Sequence, residues 1–261
     1  MAEGTAGAGG QGGGPEPTLV VAEDAGSARQ AAAEQFVASA EEAIERRGRF
    51  DVALAGGRTP AGAYDLLRVA PLTARVSWRK VHIWFGDERC VPPDHPDSNY
   101  GMAKEHLLDG VDIPRQQIHR FLGEREPDEA ARLYAEELAR AFPSRGGTHR
   151  YAFDLVLLGM GGEGHTASLF PGSAAIAAEE PTAAPWVEKL ASRRLTLTPR
   201  AINDARMVAF LVTGGGKAWA VRESLRGDRS AEELPTRAIH PHAGRVVWLL
   251  DPEAAAGLQE A

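Results

Sequence analysis

The stretch "FDVALAGGRTPAGAYDLL", residues 50–67, decides the fold class of this chain. Its first six residues are a largely apolar run, which predicts a buried β-strand. Two glycines follow, and Thr59-Pro60 then suit the first turn of a helix. A strand that passes through a glycine turn directly into a helix is the repeating unit of parallel α/β sheets.

The same alternation of strands and helices continues on both sides of this unit. The predicted strands are residues 18–24, 50–55, 80–88, 116–123, 151–159, 193–198, 205–214 and 244–251. The predicted helices are residues 27–48, 59–70, 99–110, 126–142 and 216–227. Several strands are continuous apolar runs, as expected when helices cover both faces of a sheet. We therefore expect an α/β fold with one doubly wound, mainly parallel sheet, in a single domain over residues 18–261 after a flexible Gly-rich tail at 1–17.

Composition limits the class of protein. The chain has 261 residues, 43% of them apolar, and a formal net charge of −7, which disfavours nucleic acid and anionic membranes as partners. Its one cysteine, Cys90, excludes an intrachain disulfide and a Cys-based zinc site. The sequence contains no membrane-spanning run, and its N-terminus does not resemble a signal peptide. We expect a cytoplasmic protein that acts on a small molecule.

In sheets of this kind, ligands bind beyond the carboxyl ends of the strands. The residues that follow the apolar runs are therefore considered together. Five such segments carry glycine, charge or both: residues 56–60, 86–89, 159–166, 198–200 and 213–217. Their convergence at one edge of the sheet predicts a ligand site there.

Two of these segments have the character of anion-binding loops. Gly56 and Gly57 allow close approach of backbone N–H groups, a helix begins beside them, and Arg58 and Thr59 add a cation and a hydroxyl. Lys217 follows three glycines at another helix start, where it can act as a point charge for a phosphate. Neither loop matches Walker A or GxGxxG. An ordinary tight turn and an exposed lysine are the alternative interpretations.

Charged side chains follow two further strands. Asp87 and Arg89 lie at the end of the predicted strand 80–88, and Arg200 lies just past the strand that ends near Thr198. Asp87 and Arg89 either orient polar groups of a substrate or form a structural salt bridge. Arg200 is either a phosphate contact or an ordinary surface arginine.

The segment "GMGGEGHTASLFPG", residues 159–172, contains the candidate catalytic group. His165 titrates near neutral pH and can act as a general base, and Glu163 can orient its imidazole or raise its basicity. A structural histidine is the alternative. The sequence has no HExxH zinc motif and no GxSxG nucleophile elbow, and we expect no metal.

The segment "FDLVLLGMGGEGHTASLFPG" closely resembles the signature of 6-phosphogluconolactonases. The segments "ALAGGRTP", "WFGDERCVPPDHPDSNYGMAKEHLL", "RLTLTPRAINDARMVAFLVTGGGKAWAV" and "VVWLLDPEAA" look like other blocks of that family, in the same order. The resemblance covers about residues 18–256. It implies a fold similar to glucosamine-6-phosphate deaminase and hydrolysis of 6-phospho-D-glucono-1,5-lactone, the second step of the oxidative pentose phosphate pathway, without a cofactor.

The resemblance also implies roles for individual residues. His165 activates water with support from Glu163, and the phosphate lies near residues 56–59, Arg89, Arg200 and Lys217. This chain departs from the family in two places, because the family often has Asp at the position of Glu163 and Ser at that of Arg58. Glu163 keeps the carboxylate, whereas Arg58 makes the first loop more basic.

Two alternatives to a lactonase remain at this stage. A sugar-phosphate isomerase or deaminase of the same fold would use a carboxylate, here Asp87, to move a proton between carbon atoms. A non-enzymatic sugar-phosphate sensor would bind without turnover. A lactonase would be coupled in function to glucose-6-phosphate dehydrogenase.

Overall fold

A computed structural model describes residues 16–144 and 150–258. Of the predicted Gly-rich tail, residues 1–15 lie outside this described part. The strands are β1 (Thr18–Val21), β2 (Phe50–Leu54), β3 (Val81–Phe85), β4 (Asp87–Arg89), β5 (Leu155–Leu158), β6 (Thr182–Ala183), β7 (Trp186–Val187), β8 (Ser192–Leu197), β9 (Met207–Val212) and β10 (Arg245–Leu250). The α-helices are α1 (Ala25–Arg47), α2 (Arg58–Leu67), α3 (Leu72–Arg75), α4 (Asn99–His106), α5 (Pro127–Ala141), α6 (Pro199–Ile202), α7 (Ala218–Arg226) and α8 (Pro252–Ala255).

Six of these strands form a parallel sheet in the order β1-β10-β9-β5-β2-β3. Every residue of β2, β5 and β9 is buried, which explains why these strands read as continuous apolar runs. The predicted mainly parallel α/β sheet is confirmed. The strand order reverses between β2 and β5, since the chain moves outward from them in opposite directions. The loops after these two strands therefore border the crevice in which such sheets bind ligands.

Polar side chains and a glycine cap the ends of the longer helices. The Asp24 carboxylate accepts from Ser27 N at 2.7 Å at the start of α1, and Gly48 ends that helix with φ +79°. At the start of α4, the Ser98 side chain accepts from Gly101 N at 3.0 Å.

The predicted strand 80–88 is divided at Gly86 into two strands that belong to different sheets. The sequence predicts only one sheet. β3 ends before this glycine, and β4 after it belongs to a second, antiparallel sheet in the order β4-β8-β6. Gly86 joins the two sheets, because its N–H donates to Leu54 O at 2.9 Å and its carbonyl accepts from Leu197 N at 2.8 Å. The small sheet therefore begins beside the carboxyl ends of β2 and β3.

The predicted strand 116–123 is wrong. The segment forms a 3-10 turn at Arg115–Gln117 and a single bridge between Ile118 and Ile83. The Gln117 side chain donates to Val81 O at 2.6 Å, so a side chain occupies a position that a strand would pair through its backbone.

Candidate active site

Two adjoining cavities open at the carboxyl ends of the parallel strands. The larger has a volume of about 610 Å³ and the smaller about 310 Å³. The residues common to both walls are Asp87, Arg89, His165, Ala167 and Lys217. The two cavities therefore form one cleft that is divided by charged side chains.

The loop after β2 forms one wall of the larger cavity. Gly56, Gly57, Arg58 and Thr59 all line it. Gly57 has φ +102°, which favours glycine, and it precedes α2 without a side-chain cap. The first-turn N–H groups of α2 therefore have no side-chain acceptor from Gly57 and suit an anion.

Gly56 is required by a close contact across the cavity. A β-carbon at this position would lie 1.9 Å from Oδ1 of Asn99. The Asn99 side chain donates to the Asp87 carboxylate at 3.0 Å and accepts from Arg89 Nη1. The glycine therefore leaves room for an amide that fixes both charged groups.

Asp87 has a second fixed partner, since Ser168 Oγ donates to its other carboxylate oxygen at 2.7 Å. Next to it, Glu88 is buried and accepts from the N–H groups of Asn99 and Tyr100, at 2.7 and 2.8 Å. Glu88 is thus a structural carboxylate that anchors the start of α4. The Asp87 carboxylate is the one exposed to the cleft.

The glycine loop after β5 holds His165. The imidazole stacks on Phe170 with ring centroids 4.2 Å apart. Gly161 N donates to His165 O at 2.9 Å, and a β-carbon on Gly161 would lie 2.0 Å from His165 Nδ1. Gly164 has φ +83°, and a β-carbon there would lie 2.1 Å from Leu234 Cδ1. Gly161 is therefore needed for the position of the ring, and Gly164 for the turn of the loop against Leu234.

Glu163 lies between a histidine and a lysine. One carboxylate oxygen is 3.2 Å from the buried Nδ1 of His165, although the approach is not aligned as a hydrogen bond, and the other accepts from Lys189 Nζ at 2.6 Å. Burial opposes ionisation of Glu163, but Lys189 and His165 outweigh it and lower its pKa to about 2. Burial lowers the pKa of His165, although Glu163 and Asp87 act in the opposite direction. At neutral pH the pair is therefore a carboxylate beside a neutral imidazole, the form that a general base requires.

The second glycine loop differs from its predicted role. The N–H of Gly214 donates to the Asp251 carboxylate at 2.9 Å, and the N–H of Gly215 donates to Glu253 Oε2 at 3.2 Å. These two amides are occupied by carboxylates of the protein. The loop contributes Lys217, which lines both cavities, and Thr213, which lines the larger one.

Arg200 does not reach the cleft. It lies in α6, where Nη1 is 2.9 Å from Asp204 Oδ2 and the guanidinium lies 5.5 Å from the ring centroid of Tyr151. The prediction assumed that the strand before it ran parallel to the others. Because β8 is antiparallel to β4, the first residues of β8 lie at the cleft. Residues 198–200 follow the opposite end of β8, away from the cleft.

Three cations of the cleft are absent from the sequence prediction. Arg194, opposite Arg89 in the β4–β8 pairing, and Lys189 line the smaller cavity. Arg29 of α1 lines the larger one. Arg194 lies near the start of a strand and Arg29 on the face of a helix, and neither position has a local sequence pattern that indicates a place in the cleft. Burial lowers the pKa of Arg194, and the nearby Arg89 lowers it further.

In the described residues, no group of three or more His, Cys, Asp or Glu side chains is arranged to hold a metal ion. None of the helices in that part of the chain is long and apolar enough to cross a membrane.

The chain matches the family model described as glucosamine-6-phosphate isomerases/6-phosphogluconolactonase over residues 23–248. It is 42% identical over 218 residues to a 6-phosphogluconolactonase of Synechocystis sp., covering 83% of this chain and 88% of that protein. The structure of 6-phosphogluconolactonase from Trypanosoma brucei superposes with a TM-score of 0.81 at 32% identity, covering 93% of this chain and 99% of that one. A monomeric glucosamine-6-phosphate deaminase shares the fold, with a TM-score of 0.77, 22% identity and coverage of 92% and 99%.

Proposed function

The chain is an enzyme of the glucosamine-6-phosphate isomerase/6-phosphogluconolactonase family, and we propose that it hydrolyses 6-phospho-D-glucono-1,5-lactone to 6-phosphogluconate with His165 as general base. The observation that carries this proposal is the Glu163–His165 pair on the wall of a cationic cleft. The pair places a carboxylate beside a neutral imidazole, and the cleft around it suits a phosphorylated substrate.

The proposed first step is attack of water on the lactone carbonyl. His165 Nδ1 is buried against Glu163, which leaves Nε2 to accept a proton from water. As the O–H bond breaks, the water oxygen bonds to the carbonyl carbon and an oxyanion forms. The ionised Glu163 stabilises the imidazolium that results.

The second step opens the ring. The tetrahedral intermediate re-forms its carbonyl, the bond to the ring oxygen breaks, and His165 returns its proton to that oxygen. The product is a hydroxy acid, and the histidine is restored. Neither step needs a covalent nucleophile, which agrees with the engagement of Ser168, the nearby hydroxyl, by Asp87 at 2.7 Å.

The phosphate of the substrate is proposed to bind at the other end of the cleft. There the uncapped start of α2, Arg58, Thr59 and Lys217 surround the larger cavity. Arg89 lies between the two ends, where Asn99 and the carbonyl of Asp97 hold its Nη1. Arg200 is not included, because it lies outside the cleft.

Asp87 supports a second candidate function. Its carboxylate lines both cavities and is fixed by two neutral donors, so it is also placed to move a proton between carbon atoms of a sugar phosphate. In the lactonase it would instead bind substrate hydroxyls.

One experiment distinguishes the two activities. The lactone is generated in situ with glucose-6-phosphate dehydrogenase, and its loss is followed against the spontaneous rate. In parallel, ammonia release from glucosamine 6-phosphate is measured. We expect rapid lactone loss and no ammonia, whereas ammonia release without lactone loss would favour the deaminase.

We also propose that the enzyme acts in the cytosol, in the second step of the oxidative pentose phosphate pathway. The substrate would then be supplied by glucose-6-phosphate dehydrogenase, with which the coupling is functional. The sole cysteine, a free thiol at Cys90, suits a reducing compartment.

A further inference from the structure

Arg29 reaches the cleft from α1, a helix that is not among the five segments following the predicted strands. It lies in the second turn of α1, and its side chain crosses the start of α2 at Gly62. A β-carbon on Gly62 would lie 2.8 Å from Arg29 Cδ and 3.1 Å from its Nε. The absence of a side chain at Gly62 thus creates the path by which the guanidinium reaches the wall of the larger cavity, beside Arg58 and Thr59.

The guanidinium lacks an acceptor. Its Nε is buried without a hydrogen-bond partner, and Arg29 forms no ion pair or side-chain hydrogen bond with any of the described residues. Arg89 differs, because its Nη1 donates to Asp97 O and to Asn99. A guanidinium on the wall of a cavity, with no acceptor from the protein, is available to pair with an anionic ligand that enters the cavity.

The surroundings define the chemistry of that ligand. Four side chains on the wall of the larger cavity are cationic and one is anionic: Arg29, Arg58, Arg89 and Lys217 against Asp87. The first turn of α2 adds its helix dipole on the same side. A compact dianion with several acceptor oxygens satisfies this arrangement, and the planar guanidinium can donate to two of those oxygens at once.

We infer that Arg29 binds the phosphate of the substrate and is a specificity-determining residue for phosphorylated over unphosphorylated lactones. This inference rests on the proposed function for the identity of the substrate. It assigns part of the phosphate site to α1, whereas the other proposed phosphate contacts lie in or next to loops that follow strands.

The test compares Arg29→Gln and Arg29→Lys with the matched control Arg46→Gln, an arginine of the same helix whose side chain is 68% exposed. KM and kcat are measured with 6-phosphogluconolactone and with unphosphorylated glucono-1,5-lactone. Binding of the product 6-phosphogluconate is measured by calorimetry. Loss of one charge-assisted contact predicts a rise of about ten- to hundredfold in KM and in product Kd for Arg29→Gln.

The expected pattern is specific. Arg29→Lys should recover part of the affinity, because it keeps the charge but not the fork of donors. The unphosphorylated lactone and Arg46→Gln should show no change. Equal effects of Arg29→Gln on both lactones, or an unchanged KM for the phosphorylated one, would overturn the inference.

Gly62→Ala gives a second, independent perturbation. The added methyl group displaces Arg29 without removing its charge, so KM for the phosphorylated lactone should rise several-fold. In the Arg29→Gln background the same change should have no further effect, as expected for residues that act through one contact. An additive effect would mean that Gly62 acts elsewhere, and it would count against the inference.

The failure of the two proposals can be told apart. If the wild type does not hydrolyse the lactone but 6-phosphogluconate binds it in an Arg29-dependent manner, the proposed function is wrong and the phosphate contact stands. If the wild type hydrolyses the lactone and Arg29→Gln binds product normally, only the role of Arg29 is wrong.

Discussion

Gly161→Ala tests whether the glycine loop positions the base. The added β-carbon would lie 2.0 Å from Nδ1 of His165 and 2.6 Å from Oε2 of Glu163, whereas ordinary contact begins near 3.4 Å. The imidazole must therefore move by about 1.4 Å. A displacement of about 1 Å in a catalytic group costs on the order of 10²-fold in rate. We expect kcat to fall by about that factor.

The same loop provides the control. A β-carbon on Gly159 would meet no atom of the protein within 4 Å, so Gly159→Ala should leave His165 in place and keep kcat within about twofold of wild type; because Gly159 lines the larger cavity, any effect should be on KM. Lactone loss, product affinity and melting temperature are measured for both variants. Because the clash of Gly161→Ala is with side chains, it should fold and bind 6-phosphogluconate normally. Full activity of Gly161→Ala, or an equal loss in Gly159→Ala, would refute the positioning role.

Three further predictions concern charged groups. Burial lowers the pKa of His165 below its ordinary 6.5, so the pH profile of kcat/KM should fall on its acid side only as pH drops through that lowered value. Glu163→Gln removes a negative charge that raises this pKa, so it should shift the acid side of the profile to lower pH and reduce the maximal kcat/KM. An acid side that does not move would contradict the pairing of Glu163 with His165. Lys217→Ala should raise KM for the phosphorylated lactone by about tenfold and leave the unphosphorylated one unaffected; equal effects on both would count against phosphate binding. Arg200→Gln leaves the buried Asp204 without its ion-pair partner, so it should lower the free energy of unfolding, measured by denaturant titration, by about 1–3 kcal/mol. KM for the phosphorylated lactone should be unchanged. A raised KM would mean that Arg200 contacts the phosphate.

The parallel sheet and the loops after β2, β5 and β9 are predictable because their signals are local. An apolar run followed by glycine marks both the strand and the point where it leaves the core. Gly57 and Gly164 have positive φ values, so the backbone itself requires glycine there. His165 stands out from the sequence for the same reason, as a titratable residue within such a loop.

The small sheet and the outer cations are not predictable in this way. The direction in which β8 runs depends on its pairing with β4, and this pairing is decided by tertiary packing. The assumption of a parallel strand therefore placed Arg200 in the cleft and left Arg194 out. Arg29 enters the cleft only because α1 packs against α2 at Gly62, a contact between segments that are distant in sequence.

The central claim is that His165 is the base for lactone hydrolysis. It is tested most directly by the rate of 6-phosphogluconolactone loss with His165→Gln, corrected for spontaneous hydrolysis, together with the affinity for 6-phosphogluconate. Because general base catalysis contributes about 10²–10⁴-fold, we expect the rate to fall by at least about a hundredfold while product affinity is retained. A rate near that of the wild type would contradict the account.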